Sequence, residues 1–417
     1  MVQFLRHAGL GLAAIFAAFQ LSACSDSSEQ ASGPWYTPEE GSAARIAYDM
    51  GVLEYLNSAE PIKTSTVGDT TTYTFDQADG PSCMRGKEYR TAIRETDSKD
   101  LLIFMQGGGA CWSDFCLAVI NAPSGIPTSA NLLNPNLEEN PVKDWNVVYL
   151  PYCDGSLFVG DNVIREADGR DRIHAGLQNT SASLSMAYRH FPAPERILLA
   201  GSSGGGFGTI MVTYLVRYVW PEVPIYVIND SGVGIAHDGN RGFIDKLISE
   251  FNASRFIPKD CPTCGDNGHI TDLVDYMLER DDNLTIGVFS SWYDGVIVDM
   301  FLKADPASFQ ESMARVTGAI NEKHPESYKR FILNGTTHTT LLGNVMGIVG
   351  NDIINGVELP EDLGGSLGSI NIGSLKTSVI NDMNMGQWID AMLNDPDNWH
   401  DLQEEPVLPD DGEEETP

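Results

Sequence analysis

Six short apolar runs recur along the middle of the chain: Leu101–Met105, Val147–Leu150, Ile197–Ala200, Ile225–Ile228, Leu284–Phe289 and Phe331–Leu333. They are rich in β-branched side chains and do not alternate with polar residues, the pattern of strands covered on both faces. Helical spacing of apolar positions appears at 43–57, in Thr209–Val219 directly after one run, and in Asp272–Arg280 ahead of another. Strands alternating with helices predict an α/β fold with a mainly parallel central sheet flanked by helices. The longer stretches 155–195 and 230–280 are expected to be lid or pocket-wall insertions. Residues 343–400 read as a helical and loop tail, Gly/Ser-rich from Gly364 to Gly373, and 404–417 (EEPVLPDDGEEETP) as an acidic disordered tail.

In parallel sheets of this kind, reactive groups collect beyond the carboxyl ends of the strands. Here four runs end in unusual residues: Gly107-Gly108-Gly109, Gly201-Ser202-Ser203-Gly204-Gly205, Ser290-Ser291-Trp292-Tyr293-Asp294 and Asn334-Gly335-Thr336-Thr337-His338. The second fits G-x-S-x-G between a strand and a helix, which presents a serine hydroxyl at the tip of a sharp turn and puts helix N–H groups beside it. A phosphate loop would need a following Lys-Ser/Thr pair, which is absent. Ser203 is therefore the candidate nucleophile, with Ser202 as fallback. A serine hydroxyl needs a base, and the base an orienting acid. Of eight histidines, His338 alone follows a late strand, and Asp294 sits just after Leu284–Phe289; Asp299, one turn further on, is its rival. The order Ser203, Asp294, His338 is that of α/β-hydrolases. Gly108, Gly109 and Gly204 are the candidate oxyanion donors, since backbone N–H groups unshielded by side chains can point inward. Trp112, Trp292 and Tyr293 adjoin these motifs and are candidate pocket residues.

The N-terminus changes the cellular picture. Arg6 and His7 precede the apolar run Ala8–Leu21, too short to span a membrane, which ends in Leu21-Ser22-Ala23-Cys24. That tetrapeptide resembles a bacterial lipobox, so 1–23 is expected to be a lipoprotein-type signal peptide, Cys24 the lipidated residue, 24–33 a tether, and 34–403 a single catalytic domain. The protein would then reside in the cell envelope, held to a membrane only by its lipid, or be secreted. Six cysteines remain, an even number that in an exported chain implies disulfides. The favoured pairing is Cys111–Cys116, Cys261–Cys264 and Cys83–Cys153. A zinc site on Cys261, Cys264 and His269 lacks a second cysteine pair. The net charge of −32 repels nucleic acid and argues against such a partner. The chemistry requires no metal or cofactor.

Taken together, Cys83-Met84-Arg85-Gly86, Gln106-Gly107-Gly108-Gly109-Ala110-Cys111-Trp112, Tyr152-Cys153-Asp154-Gly155-Ser156, Gly201 to Gly206, Trp292-Tyr293-Asp294 and Asn334 to His338 resemble the pectin acetylesterase family, which includes the animal Notum deacylases. The resemblance implies an α/β-hydrolase-like fold and hydrolysis of carboxylic esters. It carries the nucleophile to Ser203, the acid to Asp294, the base to His338 and the oxyanion donors to Gly108, Gly109 and Gly204. It also suggests an acetylated polysaccharide such as pectin as substrate. Plant and animal members have Ala where this chain has Gly204, Trp where it has Gly109, and Cys where it has Ser202; the plant histidine is followed by Cys, here Thr339. Two alternatives stand beside this reading: an esterase for lipid, aryl or polyester substrates, and a catalytically silent surface-binding protein on the same fold.

Overall fold

The computed structural model describes residues 33–343, 357–358 and 370–408. The signal segment, Cys24, the tether up to residue 32 and residues 409–417 lie outside the described residues. No described helix is long and apolar enough to cross a membrane.

In chain order the strands are β1 (Lys63–Val67), β2 (Thr70–Phe75), β3 (Tyr89–Arg94), β4 (Leu101–Met105), β5 (Gly109–Trp112), β6 (Phe115–Val119), β7 (Asn146–Leu150), β8 (Asn162–Arg165), β9 (Asp171–His174), β10 (Ile197–Ser202), β11 (Ile225–Asp230), β12 (Leu284–Ser291), β13 (Tyr328–Leu333), β14 (Val357–Glu358), β15 (Val379–Ile380), β16 (Met383–Asn384) and β17 (Leu402–Gln403). The helices are α1 (Ala43–Met50), α2 (Gly176–His190), α3 (Gly204–Val219), α4 (Arg241–Phe251), α5 (Asp272–Leu278), α6 (Pro306–Lys323) and α7 (Met385–Asn394).

A ten-stranded sheet runs β1-β2-β3-β7-β4-β10-β11-β12-β13-β17. It is parallel from β7 to β17 and antiparallel from β1 to β7. Every predicted apolar run is one of the parallel strands. The reason is visible in β4, all of whose residues are buried: Leu101, Ile103 and Met105 join the core shared with α2, α3 and α6, while Leu102 and Phe104 face the opposite core built around α7. The antiparallel edge was not expected. Its sequences, KTSTV and TTTYTF, are threonine-rich and carry no apolar run, and β1 is exposed along its whole length.

Several boundaries move for identifiable reasons. The helix expected over 43–57 stops at Met50, because Gly51 adopts φ 70° and ψ 27° and closes the helix with a left-handed cap. The 155–195 stretch is only partly an insertion: β8 and β9 form a surface hairpin, but α2 buries Leu177 and Leu184 in the main core. Residues 404–408 are placed against the body, with Glu404 O accepting from Trp292 Nε1–H at 2.7 Å and Asn334 Oδ1 accepting from Val407 N–H at 3.0 Å.

All three expected disulfides are formed: Cys83–Cys153, Cys111–Cys116 and Cys261–Cys264. The last consumes the thiols that a zinc site would need, and no group of three or more potential metal ligands occurs among the described residues.

Candidate active site

Ser203 lies at the junction of β10 and α3 with φ 54° and ψ −118°, a conformation that L-residues seldom adopt. The turn exists because its glycines admit it. A Cβ on Gly201 would lie 2.2 Å from the Gly205 carbonyl oxygen, and one on Gly205 would lie 2.2 Å from the Met105 carbonyl oxygen. Strand, turn and helix therefore pack backbone to backbone, and Ser203 is lifted to the rim, half-buried.

Asp294 and His338 arrive on the ends of the neighbouring strands β12 and β13. The His338 Nδ1–H donates to both Asp294 carboxylate oxygens, each at 2.9 Å. This fixes the tautomer, leaving Nε2 with its lone pair. Asp294 is wholly buried, and its Oδ1 also accepts the N–H groups of Val296 and Ile297 at 3.1 and 3.0 Å. Asp299, the rival acid, is exposed on the following π-helical turn, its carboxyl raised by partial burial and by the charge of Asp294. His338 N–H donates to Asn371 O at 2.7 Å, so the segment after residue 369 clamps the histidine loop. Ser203 Oγ makes no hydrogen bond with His338 in this structure. Such contacts are commonly long without substrate and tighten when it binds.

The glycine loop after β4 leads into the β5–β6 hairpin, tied across by Cys111–Cys116. Gly109 has φ 84°, and a Cβ there would lie 1.8 Å from the Leu117 carbonyl oxygen, so no other residue fits. Its carbonyl oxygen lies 2.8 Å from where a Cβ on Gly204 would sit. Two of the four positions singled out above as departures from the resembled family, Gly109 and Gly204, therefore lie against each other. Gly204 heads α3, where first-turn N–H groups have no partner within the helix.

Beside Ser203 opens a pocket lined almost wholly by apolar side chains, among them Phe207, Met211, Ile244, Leu247, Ile248, Phe256, Ile270 and Phe301, with Trp112, Gly109 and Gly204 at the Ser203 end. Of the three aromatic candidates only Trp112 lines it, with Phe243 edge-on at 6.0 Å. Trp292 and Tyr293 are buried elsewhere, because their backbone N–H groups are drawn onto Leu333 O and Gly335 O as β12 ends. One wall is α4, from the 230–280 stretch. It is fastened to the hairpin tip by Glu250, which accepts Ser113 N–H at 2.7 Å, and by an ion pair of Lys246 with Asp114. Sequence reasoning placed an insertion here but named none of its side chains.

The Cys-Asp-Gly-Ser segment supports the hairpin from beneath. Gly155 O accepts Cys111 N–H at 2.8 Å, and Cys153 O accepts Met84 N–H at 2.7 Å. Asp154 is buried and bonded to the Ser156 hydroxyl, and its carbonyl accepts His174 Nδ1–H at 2.9 Å. Burial holds His174 neutral, its pKa lowered to about 3. Burial also raises the Asp154 carboxyl to about 7, against the opposing pull of its hydrogen bonds. In the unfolded chain this group loses its proton near pH 4, while the folded chain holds it to about 7. Its contribution to stability therefore falls as pH rises from about 4 to about 7 and then levels off. Asp154→Asn, which mimics the protonated form, should remove that decline. Urea midpoints at pH 5 and pH 8 should show the variant gaining on the wild type at the higher pH; a difference constant with pH would mean that Asp154 does not titrate there.

Residues 68–263 match the sequence profile of the pectinacetylesterase family. Comparison with curated proteins gives no match. Among solved structures, the Wnt deacylase Notum from Drosophila superposes with a TM-score of 0.55 at 14% identity, covering 83% of this chain and 98% of that one. At that identity the likeness is one of fold.

Proposed function

We propose that this chain, over residues 68–263 a member of the pectinacetylesterase family, is a serine carboxylic ester hydrolase acting through an acyl-Ser203 intermediate. The observation that carries the reading is the buried Asp294–His338 pair, its free imidazole nitrogen on the same sheet rim as a serine held at φ 54°. Ser203 Oγ attacks the ester carbonyl as His338 Nε2 takes its proton; binding of substrate closes this remaining contact. The N–H groups of Gly108, Gly109 and Gly204 stabilise the oxyanion. His338 then protonates the departing alcohol, and a water activated by the same nitrogen releases the acid.

The family name points to acetyl groups on pectin, and an acetylated polysaccharide remains one substrate reading. The pocket favours another. An acetyl group has one methyl to bury, whereas the pocket beside Ser203 is lined by many apolar side chains. Each buried CH₂ contributes about 0.8 kcal/mol, so a longer acyl chain lying there gains several-fold in affinity per carbon. The three disulfides fit an oxidising compartment, in keeping with export and with a lipid tether at Cys24.

The test is a series of p-nitrophenyl esters from acetyl to dodecanoyl, run beside acetate release from acetylated pectin. kcat/KM should rise by at least about tenfold from acetyl to octanoyl. A fluorophosphonate probe should label the wild type and spare Ser203→Ala. Equal labelling of both would sink the hydrolase reading, whereas a preference for acetyl would sink only the acyl assignment.

A further inference from the structure

We propose that Asp230 is a positioning residue of the hydrolytic centre: it holds the turn that delivers Ser203 and the loop that delivers His338 at a fixed separation. The inference rests on the ester-hydrolase reading above.

Asp230 ends β11, where it pairs with Ser202 of β10. It is completely buried. Its carbonyl oxygen accepts the Ser203 N–H at 2.7 Å. Its carboxylate accepts the Ser202 hydroxyl at 2.7 Å, the Thr340 N–H at 2.9 and 3.0 Å, and the Leu341 N–H at 2.9 Å. The next residue repeats the pattern: Ser231, at φ 59°, accepts the Thr339 N–H on its Oγ at 2.9 Å and donates its own N–H to Phe289 O at 2.8 Å. Asn229 completes the bracket, its side chain donating to Gly206 O and Gly232 O at 2.9 Å each.

One side chain thus bonds to the residue just before the nucleophile and to the second and third residues after the histidine. β11, one of the two strands between β10 and β13, therefore joins the two functional loops. Both carboxylate oxygens accept the Thr340 N–H, so a carboxylate fits here, whereas an amide NH₂ at either position would face that donor. Burial raises this carboxyl, while the hydrogen bonds from Leu341, Ser202 and Thr340 and the charge of His338 pull it back down. Acyl transfer is sensitive to such spacing, since a displacement of about 1 Å between reacting groups can cost about a hundredfold in rate.

The test compares Asp230→Asn and Ser202→Ala with the wild type on a soluble p-nitrophenyl ester. Asp230→Asn aims an amide NH₂ at groups that themselves donate. It should lower kcat by about a hundredfold with KM within about twofold, and slow fluorophosphonate inactivation by the same factor. Ser202→Ala removes one donor and leaves the carboxylate bonded to both loop N–H groups. It should fold normally and lower kcat by about tenfold, again with KM unchanged. If Asp230→Asn does not fold, Ser202→Ala decides. Folded variants that keep kcat and inactivation rate within twofold, or that lose activity through KM alone, overturn the inference. A wild type inert to every ester overturns the underlying hydrolase reading and this inference with it, an outcome told apart by having no active baseline.

Discussion

Replacing His338 with alanine is expected to lower kcat by on the order of a million-fold, because a serine without its base reacts little better than the residual site allows. Asp294→Asn should cost less, about ten-thousand-fold. The asparagine can still occupy the buried space and accept from Val296 and Ile297, but it no longer enforces the imidazole tautomer that leaves Nε2 free. Asp299→Asn is the informative control. That residue is exposed and makes no bond to His338, so kcat should stay within about threefold. Steady-state kinetics on a chromogenic ester separate the three. An Asp299 variant more damaged than the Asp294 variant would reassign the acid, and a His338→Ala enzyme within tenfold of wild type would remove the base from the mechanism.

The second large effect concerns stability. Removing Cys83–Cys153 by alanine at both positions should cost about 4 kcal/mol in the chain-entropy account of cross-links, since the bond spans a sequence separation of 70. It joins the β2–β3 connection to the Cys-Asp-Gly-Ser segment, whose Gly155 carbonyl holds the hairpin at Cys111, so its loss also loosens that support. Cys261–Cys264 spans a separation of only 3 and restrains the unfolded chain far less. Guanidinium denaturation of the two double variants should therefore rank them clearly. Equal midpoints would mean that the longer cross-link restrains nothing the native contacts do not already hold.

How much of this was legible beforehand follows from which forces are local. Strands buried on both faces announce themselves as apolar runs, so the parallel half of the sheet and the placement of Ser203, Asp294 and His338 at its rim were readable. The threonine-rich antiparallel edge was not, because its pairing depends on neighbours rather than on its own hydrophobicity. Asp230 was passed over for a similar reason. It extends the run Ile225–Ile228 by two residues, and nothing local distinguishes a buried hub from a polar strand end; only the return of Thr340 and Leu341 across the sheet reveals its load. The pocket was half seen. Trp112 is found by adjacency to a motif, but the same rule also picks Trp292 and Tyr293, which are buried and do not line the pocket. The α4 wall, 40 residues or so beyond Ser203, comes from a stretch with no motif at all.

The close approach of Gly109 to Gly204 leaves the turn and the hairpin no room to vary separately. An alanine introduced at 204 alone would run its methyl into the Gly109 carbonyl, and a tryptophan at 109 alone would be forced onto a left-handed backbone against Leu117. Residues in such contact do not contribute independently. The two glycines are thus coupled through one backbone approach, and substitutions at 109 and 204 should not combine additively.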